Sequence, residues 1–224
     1  QEEEIMEKIS LEQVRPEDIE RRSFEIIRQK LKEMHKEIGE REAPLVLRAI
    51  HTTADFDYAD NLVFSPDAIE CGLLALRQGA VIVTDTNMAK AGINKKRLGL
   101  LGGEVFCFMA DEDVARASRE EGTTRASASM DKAASLFGQG SGEKRPVIIA
   151  VGNAPTALVR LAKLMEDGKI RPALIIGAPV GFVNVVQSKE CIMAQHKVPY
   201  IVAAGQKGGS NVAAALCNAL LYQL

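Results

Sequence analysis

The fold of this chain is decided by the stretch Ala80-Val81-Ile82-Val83-Thr84, a short apolar run rich in β-branched residues. An apolar run of this length, with no polar residue for either face, is typical of a strand buried on both sides of a parallel sheet. A polar segment, Asp85-Thr86-Asn87-Met88, follows at once. We therefore expect a buried strand here that ends in a polar loop.

Four more apolar runs follow, separated by stretches with helical spacing of their apolar residues. They cover residues 104–109, 147–151, 173–176 and 200–203. Apolar strands that alternate with helices predict an α/β fold. We expect a single domain over residues 1–224, in which residues 80–224 form a mostly parallel sheet of about five strands flanked by helices.

The part that precedes this sheet, residues 1–79, reads as mainly helical. Pro16 followed by acidic residues is a typical helix start, and Gly39 can end that helix. A second helix is expected from about Pro44 to Ile50. A third is expected to use Ser65 as its N-cap and Pro66 as its first residue, and to end near Gly79.

Composition limits the classes of function. The 224 residues carry a net charge of −2, with 46% hydrophobic and 26% charged residues. This balance gives no sign of a nucleic-acid surface, so any anionic ligand must be met by local donors. No apolar run reaches the roughly 20 residues of a membrane span, and the acidic start Gln1-Glu2-Glu3-Glu4 is unlike a secretory signal. The four cysteines contain no CxxC pair, which favours reduced thiols in a cytoplasmic protein.

Candidate binding loops follow the expected strands, because ligands of open parallel sheets bind beyond the carboxyl ends of the strands. Glycines there let a ligand approach the backbone, and the following helices present N–H groups to an anion. The same glycines and prolines are equally consistent with tight turns that have no ligand. No phosphate-loop motif is present, so a nucleotide site has little support. The loops are Thr84-Asp85-Thr86-Asn87-Met88, Gly152-Asn153-Ala154-Pro155-Thr156, Gly177-Ala178-Pro179-Val180-Gly181-Phe182 and Gly205-Gln206-Lys207-Gly208-Gly209-Ser210.

Among single side chains, His51 is the leading candidate for proton transfer. Two hydroxyls and two carboxylates flank it within the segment from Arg48 to Ala59. Histidine is the side chain that exchanges a proton most readily near neutral pH, although many histidines are purely structural. Arg125 is expected near a helix start, where its guanidinium could bind a carboxylate or simply be solvated. His35 and His196 lie in polar surroundings, and we expect both to be exposed.

Taken together, these segments resemble the precorrin-8X methylmutase family of cobalamin biosynthesis, including its cobalt-precorrin-8 branch. The matches run in order from about residue 14 to the C-terminus, and the ordered set is specific although each match alone is weak. Besides the loops above, the matching segments are Ser23-Phe24-Glu25-Ile26-Ile27, Ile50-His51, Gly92-Ile93, Thr124-Arg125-Ala126-Ser127-Ala128, Pro172-Ala173-Leu174-Ile175-Ile176-Gly177, Ser188-Lys189-Glu190 and Val198-Pro199-Tyr200.

The resemblance implies an isomerase that moves a methyl group from carbon 11 to carbon 12 of a tetrapyrrole. It implies that His51 protonates the macrocycle or hydrogen-bonds to it during a [1,5]-sigmatropic shift, and that Arg125 binds a peripheral carboxylate. It also implies a homodimer, no separate cofactor and no protein-bound metal, since any cobalt is carried by the substrate. The other implied substrate-binding residues are Ser23, Asp85, Thr86, Asn153, Gly181, Lys207, Gly208, Gly209 and Ser210.

Two positions depart from the family pattern. Gln206 stands where a basic residue is expected, and Ala126 stands where Ser is expected. Each departure removes a possible donor to a substrate carboxylate. Two alternatives to a methylmutase stay open at this point: a non-catalytic protein that binds or delivers a tetrapyrrole, and a nucleotide-dependent enzyme.

Overall fold

The structure, a computed structural model, describes residues 11–224, so the acidic start Gln1 to Glu4 lies outside the described residues. Its contacts divide the chain into two compact units, one ending at Glu37 and the other running from Ile38 to Leu224. The first unit holds a 3-10 turn, Pro16–Asp18, and helix α1, Ile19–Glu33. The helix ends before Gly39 because His35 adopts a left-handed conformation with φ 53°.

The second unit contains six strands and ten helices among the residues described. The strands are β1 Leu62–Phe64, β2 Val81–Thr84, β3 Glu104–Phe106, β4 Val147–Val151, β5 Leu174–Gly177 and β6 Tyr200–Ala203. The helices are α2 Ala43–Thr53, α3 Tyr58–Asn61, α4 Ala68–Arg77, α5 Asn87–Gly92, α6 Lys95–Leu100, α7 Glu112–Glu120, α8 Arg125–Phe137, α9 Pro155–Glu166, α10 Val185–Ala194 and α11 Ser210–Leu221.

The sheet has the order β1-β6-β5-β4-β2-β3, and every pair except β1–β6 is parallel. All residues of β2, β4, β5 and β6 are buried, as their apolar sequences predict. The edge strands β1 and β3 are partly exposed. The predicted α/β class and its five parallel strands are confirmed, and β1 is an additional antiparallel strand within the region expected to be helical.

Ser65 has a different role from the predicted one. It does not cap a helix: Asp67 is the N-cap of α4, and Pro66 lies outside that helix. The backbone N–H of Ser65 donates to the carbonyl of Tyr200, and the Ser65 hydroxyl accepts from the N–H of Tyr200. The sequence pattern was ambiguous because a Ser-Pro pair suits a helix start as well as the end of an edge strand.

Helices cover both faces of the sheet. On one face α8, α9 and α10 pack on a cluster that includes Val83, Ile149 and Val202. On the other face α4, β5 and α11 meet closely, since a Cβ built on Gly72 would lie 2.9 Å from Leu174 and 3.1 Å from Leu220. The four cysteines, all of which the structure describes, form no disulfide. Within residues 11–224 there is no helix long and apolar enough to cross a membrane.

Candidate functional site at the carboxyl edge of the sheet

The site forms where the chain order of the strands departs from their order in the sheet. Strands β2 and β4 are neighbours in the sheet although β3 lies between them in the sequence. From β2 the chain continues to β3, which forms one edge of the sheet. It then returns to β4, from which the sheet extends in the opposite direction through β5 and β6. In open α/β sheets the usual ligand position lies at such a point, between the loops that follow the two strands, which here are the loops after β2 and β4.

Asp85, the first residue after β2, connects these two loops and organises the loop after β4. Its side chain is 1% exposed. One carboxylate oxygen accepts from the N–H of Gly152 at 2.7 Å, and the other accepts from Asn153 at 2.9 Å and Ala154 at 2.7 Å. Burial raises the pKa of Asp85, and the three backbone donors oppose that shift. Both oxygens are thus occupied by the protein, so Asp85 fixes the loop from which a ligand would be contacted.

Thr86 joins the loop after β2 to the start of α11. Its hydroxyl accepts from the N–H of Ala89, which caps α5, and lies 2.7 Å from the hydroxyl of Ser210. Thr86 and Ser210 were predicted on separate loops, and the structure brings them into contact. The loop after β6 is therefore joined to the loop after β2 as well.

Close backbone packing joins the loops after β4, β5 and β6. A Cβ on Gly208 would lie 2.2 Å from the carbonyl oxygen of Ala178, and the N–H of Gly209 donates to that oxygen at 2.8 Å. A Cβ on Gly152 would lie 2.6 Å from Cα of Ser210. The N–H of Gly181 donates to the carbonyl of Gln206 at 3.2 Å. These glycines therefore make one continuous rim of three loops, which we call the loop rim.

Lys207 connects the loop rim to the segment that follows His51. Its ammonium contacts Asp55 at 2.6 Å and also Asp57. The two carboxylates raise the pKa of Lys207, and Lys207 in turn lowers the pKa of Asp55. The ammonium of Lys207, which was expected to bind a substrate carboxylate, is therefore already paired with carboxylates of the protein.

His51 lies in the last turn of α2, four residues before Asp55. Its side chain is partly accessible, so it is not enclosed in the hydrocarbon core. The helix stops at Ala54, which adopts a left-handed conformation with φ 54°. The turn that follows carries Asp55 and Asp57 to Lys207, so the His51 segment and the loop after β6 are tied together.

Arg125 is the first residue of α8, as the sequence predicts. Thr124 caps the helix by accepting from the N–H of Ser127, and its hydroxyl lies 2.8 Å from that of Thr156 at the start of α9. The Arg125 side chain is exposed and forms no hydrogen bond or ion pair with any other described residue. It is thus available to an anionic ligand at the end of the loop after β4.

The remaining predicted residues have simpler surroundings. Asn153 is exposed, and its backbone N–H donates to Asp85. Ser23 lies on α1 in the first unit, where its hydroxyl donates to the carbonyl of Ile19. His35 and His196 are exposed, as expected. Among residues 11–224, no group of three or more His, Cys, Asp or Glu is arranged to hold a metal ion.

The two departures from the family pattern differ in their surroundings. Ala126 is 4% exposed in the first turn of α8, so it packs inside the protein. Gln206 is exposed, and its carbonyl is the acceptor for Gly181. The Gln206 side chain therefore stands at the loop rim where a charged residue was expected.

Lys189 lies in the matching segment Ser188-Lys189-Glu190 but was not among the predicted site residues. It lies on α10 with 0% exposure, and its ammonium donates to the carbonyls of Gly205 at 2.7 Å and Lys207 at 2.8 Å. Burial lowers its pKa to about 8. The sequence does contain a signal of this burial. Lys189 falls four residues after Val185 and three before Ile192, which places it on the apolar face of its helix.

Comparisons with known proteins agree with this architecture. The sequence model of the precorrin-8X methylmutase family matches residues 18–223. The cobalt-precorrin-8 methylmutase of Priestia megaterium is 41% identical over 207 residues, which cover 92% of this chain and 88% of that protein. The precorrin-8X methylmutase of Pseudomonas aeruginosa is 38% identical over 177 residues, covering 79% of this chain and 81% of that protein.

A solved structure gives the same result for the fold. The crystal structure of a precorrin-8X methylmutase from Thermus thermophilus superposes with a TM-score of 0.80 at 40% sequence identity, covering 92% of this chain and 95% of that one. The family match spans nearly the whole chain, and the relatives agree in name over most of their own length. This chain therefore belongs to the precorrin-8X methylmutase family, the isomerases of cobalamin biosynthesis.

Proposed function

We propose that this enzyme moves the methyl group at carbon 11 of precorrin-8X or cobalt-precorrin-8 to carbon 12, giving hydrogenobyrinate or cobyrinate. The observation that carries the proposal is the family match over residues 18–223, which contains every loop of the site. Both substrates remain candidates, because the macrocycle itself would hold the cobalt. No residue described above separates the two.

His51 would act as the acid or hydrogen-bond donor to the macrocycle. Migration of a methyl group within a conjugated ring shifts electron density in that ring, and one positioned donor can stabilise this change. Its partly accessible position at the end of α2 supports the role, as does the tie between its segment and the loop rim. No nucleophile and no separate cofactor is needed for an intramolecular shift of this kind.

The carboxylates of the substrate would be met by local donors. Arg125 offers an unengaged guanidinium, and Ser210 offers a hydroxyl at the start of α11 beside that of Thr86. Asn153 would offer its exposed side-chain amide, and Gly181, Gly208 and Gly209 would offer the backbone of the loop rim. Asp85 and Lys207 would act mainly by holding these loops in place, since both are already bound to protein groups.

The same proposal covers the oligomeric state, the cellular location and the binding partners of the enzyme. We expect a homodimer in the cytoplasm that binds neither nucleic acid nor membranes. Exposed apolar side chains on the loop before α10, Val180, Phe182 and Val183, are consistent with contact to a macrocycle or to a second subunit.

The direct test replaces His51 with Ala and follows formation of the corrin product by absorbance, with metal-free and cobalt-loaded substrate in parallel. We expect His51→Ala to lower turnover by at least a hundredfold, the size usual for loss of a general acid. His35→Ala is a matched control, because His35 is exposed in the first unit and should not affect turnover. Unchanged turnover in His51→Ala would remove His51 from the mechanism.

The same assay separates a methylmutase from a non-catalytic tetrapyrrole carrier. A carrier would bind the substrate without rearranging it, and its binding would not depend on His51. NMR of the product reports the position of the migrated methyl group directly. A wild-type chain that binds the macrocycle but leaves the methyl group at carbon 11 would exclude the mutase and favour the carrier.

A further inference from the structure

Lys189 is a buried cation, and its hydrogen-bond partners among residues 11–224 include no carboxylate. Its side chain is 0% exposed, and both acceptors of its ammonium are backbone carbonyls of the loop after β6. A lysine is seldom buried this completely, because removing its charge from water is costly. In this protein the side chain is used to fix a loop of the site, and no carboxylate offsets its burial.

The two carbonyls belong to residues on either side of Gln206. Gly205 has a positive φ of 76°, so the chain turns sharply where Lys189 holds it. Lys207 is held twice, since Lys189 binds its carbonyl while Asp55 and Asp57 bind its ammonium. These contacts therefore connect α10 with the loop after β6, and that loop with the segment that follows His51.

Because Lys189 fixes two carbonyls of this loop, it also fixes the direction of backbone N–H groups in the loop. The carbonyls of Gly205 and Lys207 belong to the peptide units that carry the N–H groups of Gln206 and Gly208. Because the carbonyl and the N–H of a trans peptide unit point in opposite directions, these two N–H groups are directed away from Lys189. Among the hydrogen bonds of the described residues, neither of them donates to a protein acceptor. Two unused amide donors in the loop before α11 are suited to an anionic oxygen.

We propose that Lys189 is a positioning residue, which fixes the loop from Gly205 to Ser210 so that its amides receive a carboxylate of the substrate and Lys207 holds the His51 segment. The proposal rests on the proposed function and extends it to a residue that does not touch the substrate. Two donated N–H bonds are the physical requirement, and a neutral amine satisfies it as well as an ammonium does.

The test compares Lys189→Met with wild type. Methionine keeps the unbranched apolar stem and removes the donors. We expect the dissociation constant of the corrin product and the KM of the substrate to rise about tenfold, and amide hydrogen exchange over residues 205–210 to accelerate, at a temperature where the variant remains folded. Ser188→Ala is the matched control: Ser188 is also 0% exposed on α10, but its hydroxyl donates within that helix to Val185.

A second variant separates positioning from simple loss of stability. If Lys189 acts through the loop, Lys207→Met and Lys189→Met disturb the same element, so the double variant should bind product no more weakly than the worse single variant. Additive losses, or normal exchange and normal affinity in Lys189→Met, would overturn the role of Lys189 while leaving the proposed function intact. A wild-type chain that neither binds nor converts the tetrapyrrole would instead overturn the proposed function.

Discussion

At the scale of single residues, the surroundings of a charged group decide what it does. Lys189 and Lys207 are the same residue type and both reach the loop after β6, yet one is buried against carbonyls and the other is exposed between two carboxylates. Their pKa values accordingly move in opposite directions, down for Lys189 and up for Lys207. Neither difference can be read from the sequence, because the partners lie on other elements.

Lys189 gives a pH dependence whose sign can be worked out. Its pKa falls from 10.5 to about 8 on folding, so between these values the unfolded chain binds more protons than the folded one. The contribution of this residue to stability therefore rises with pH in that window, by an amount on the order of 1–2 kcal/mol between pH 8 and 9.5. Urea unfolding of wild type and of Lys189→Met at pH 8 and at pH 9.5 measures this contribution. The effects of the other titrating groups cancel when the two proteins are compared. If the stability of the two proteins depended on pH to the same extent, this would contradict the lowered pKa of Lys189.

Asp85 shows how far sequence reasoning reaches at this scale. A polar loop after a buried strand predicted correctly that Asp85 lies at the carboxyl edge of the sheet. Its partners are backbone amides 67 to 69 residues later in the chain, brought close only because β4 pairs with β2. The chemical type of a residue therefore predicted its location, whereas its hydrogen bonds depend on sheet order.

At the scale of elements, the five parallel strands could be predicted and the antiparallel edge strand β1 could not. Strands β4 and β6 have the predicted bounds, β2 begins one residue later than predicted, and β5 is shifted by one residue at both ends. β3 ends three residues earlier than predicted. β1 has only three residues, too few for a period to be recognised. Its existence depends on antiparallel pairing with β6, which lies far along the chain. Ser65, which ends that pairing, carried a helix-start signal that the tertiary contact overrides.

The close approach of loops in the loop rim predicts a large effect at Gly208. In Gly208→Ala the new Cβ would collide with the backbone of Ala178 and Pro179, so the loop after β6 must move away from β5. We expect a loss of about 1–3 kcal/mol in the free energy of unfolding, the usual range for overpacking, together with weaker product binding. Urea unfolding and titration with the corrin product measure the two effects.

Gly99→Ala provides the matched control for that substitution. Gly99 lies within α6, and a Cβ there would have no atom within 4 Å. Alanine should therefore be neutral or should stabilise the helix by up to about 1 kcal/mol. Equal effects of the two substitutions would mean that the contact between the loops after β5 and β6 does not hold the rim.

At the scale of the whole molecule, the second unit combines a rigid sheet with loops that are held from several directions. Asp85 fixes the loop after β4, Lys189 fixes the loop after β6, and Lys207 ties that loop to the His51 segment. Each of these charged groups is used inside the protein, while Arg125 is left unengaged. Such preorganisation suits an isomerase, because an intramolecular shift needs a substrate held in one geometry more than it needs additional reactive groups.

The proposed division between holding groups and a single proton donor, His51, predicts how ligands affect stability. The corrin product should stabilise wild type by about 2.7 kcal/mol when its free concentration is a hundred times its dissociation constant. His51→Ala should gain nearly as much, because His51 is proposed to act on the reacting macrocycle while other groups hold the carboxylates. ATP and NAD should give no shift, since the loops contain no phosphate-binding motif. Thermal unfolding with each ligand measures these effects, and stabilisation by a nucleotide, or its complete loss for the corrin in His51→Ala, would show that binding and proton donation are not divided in this way.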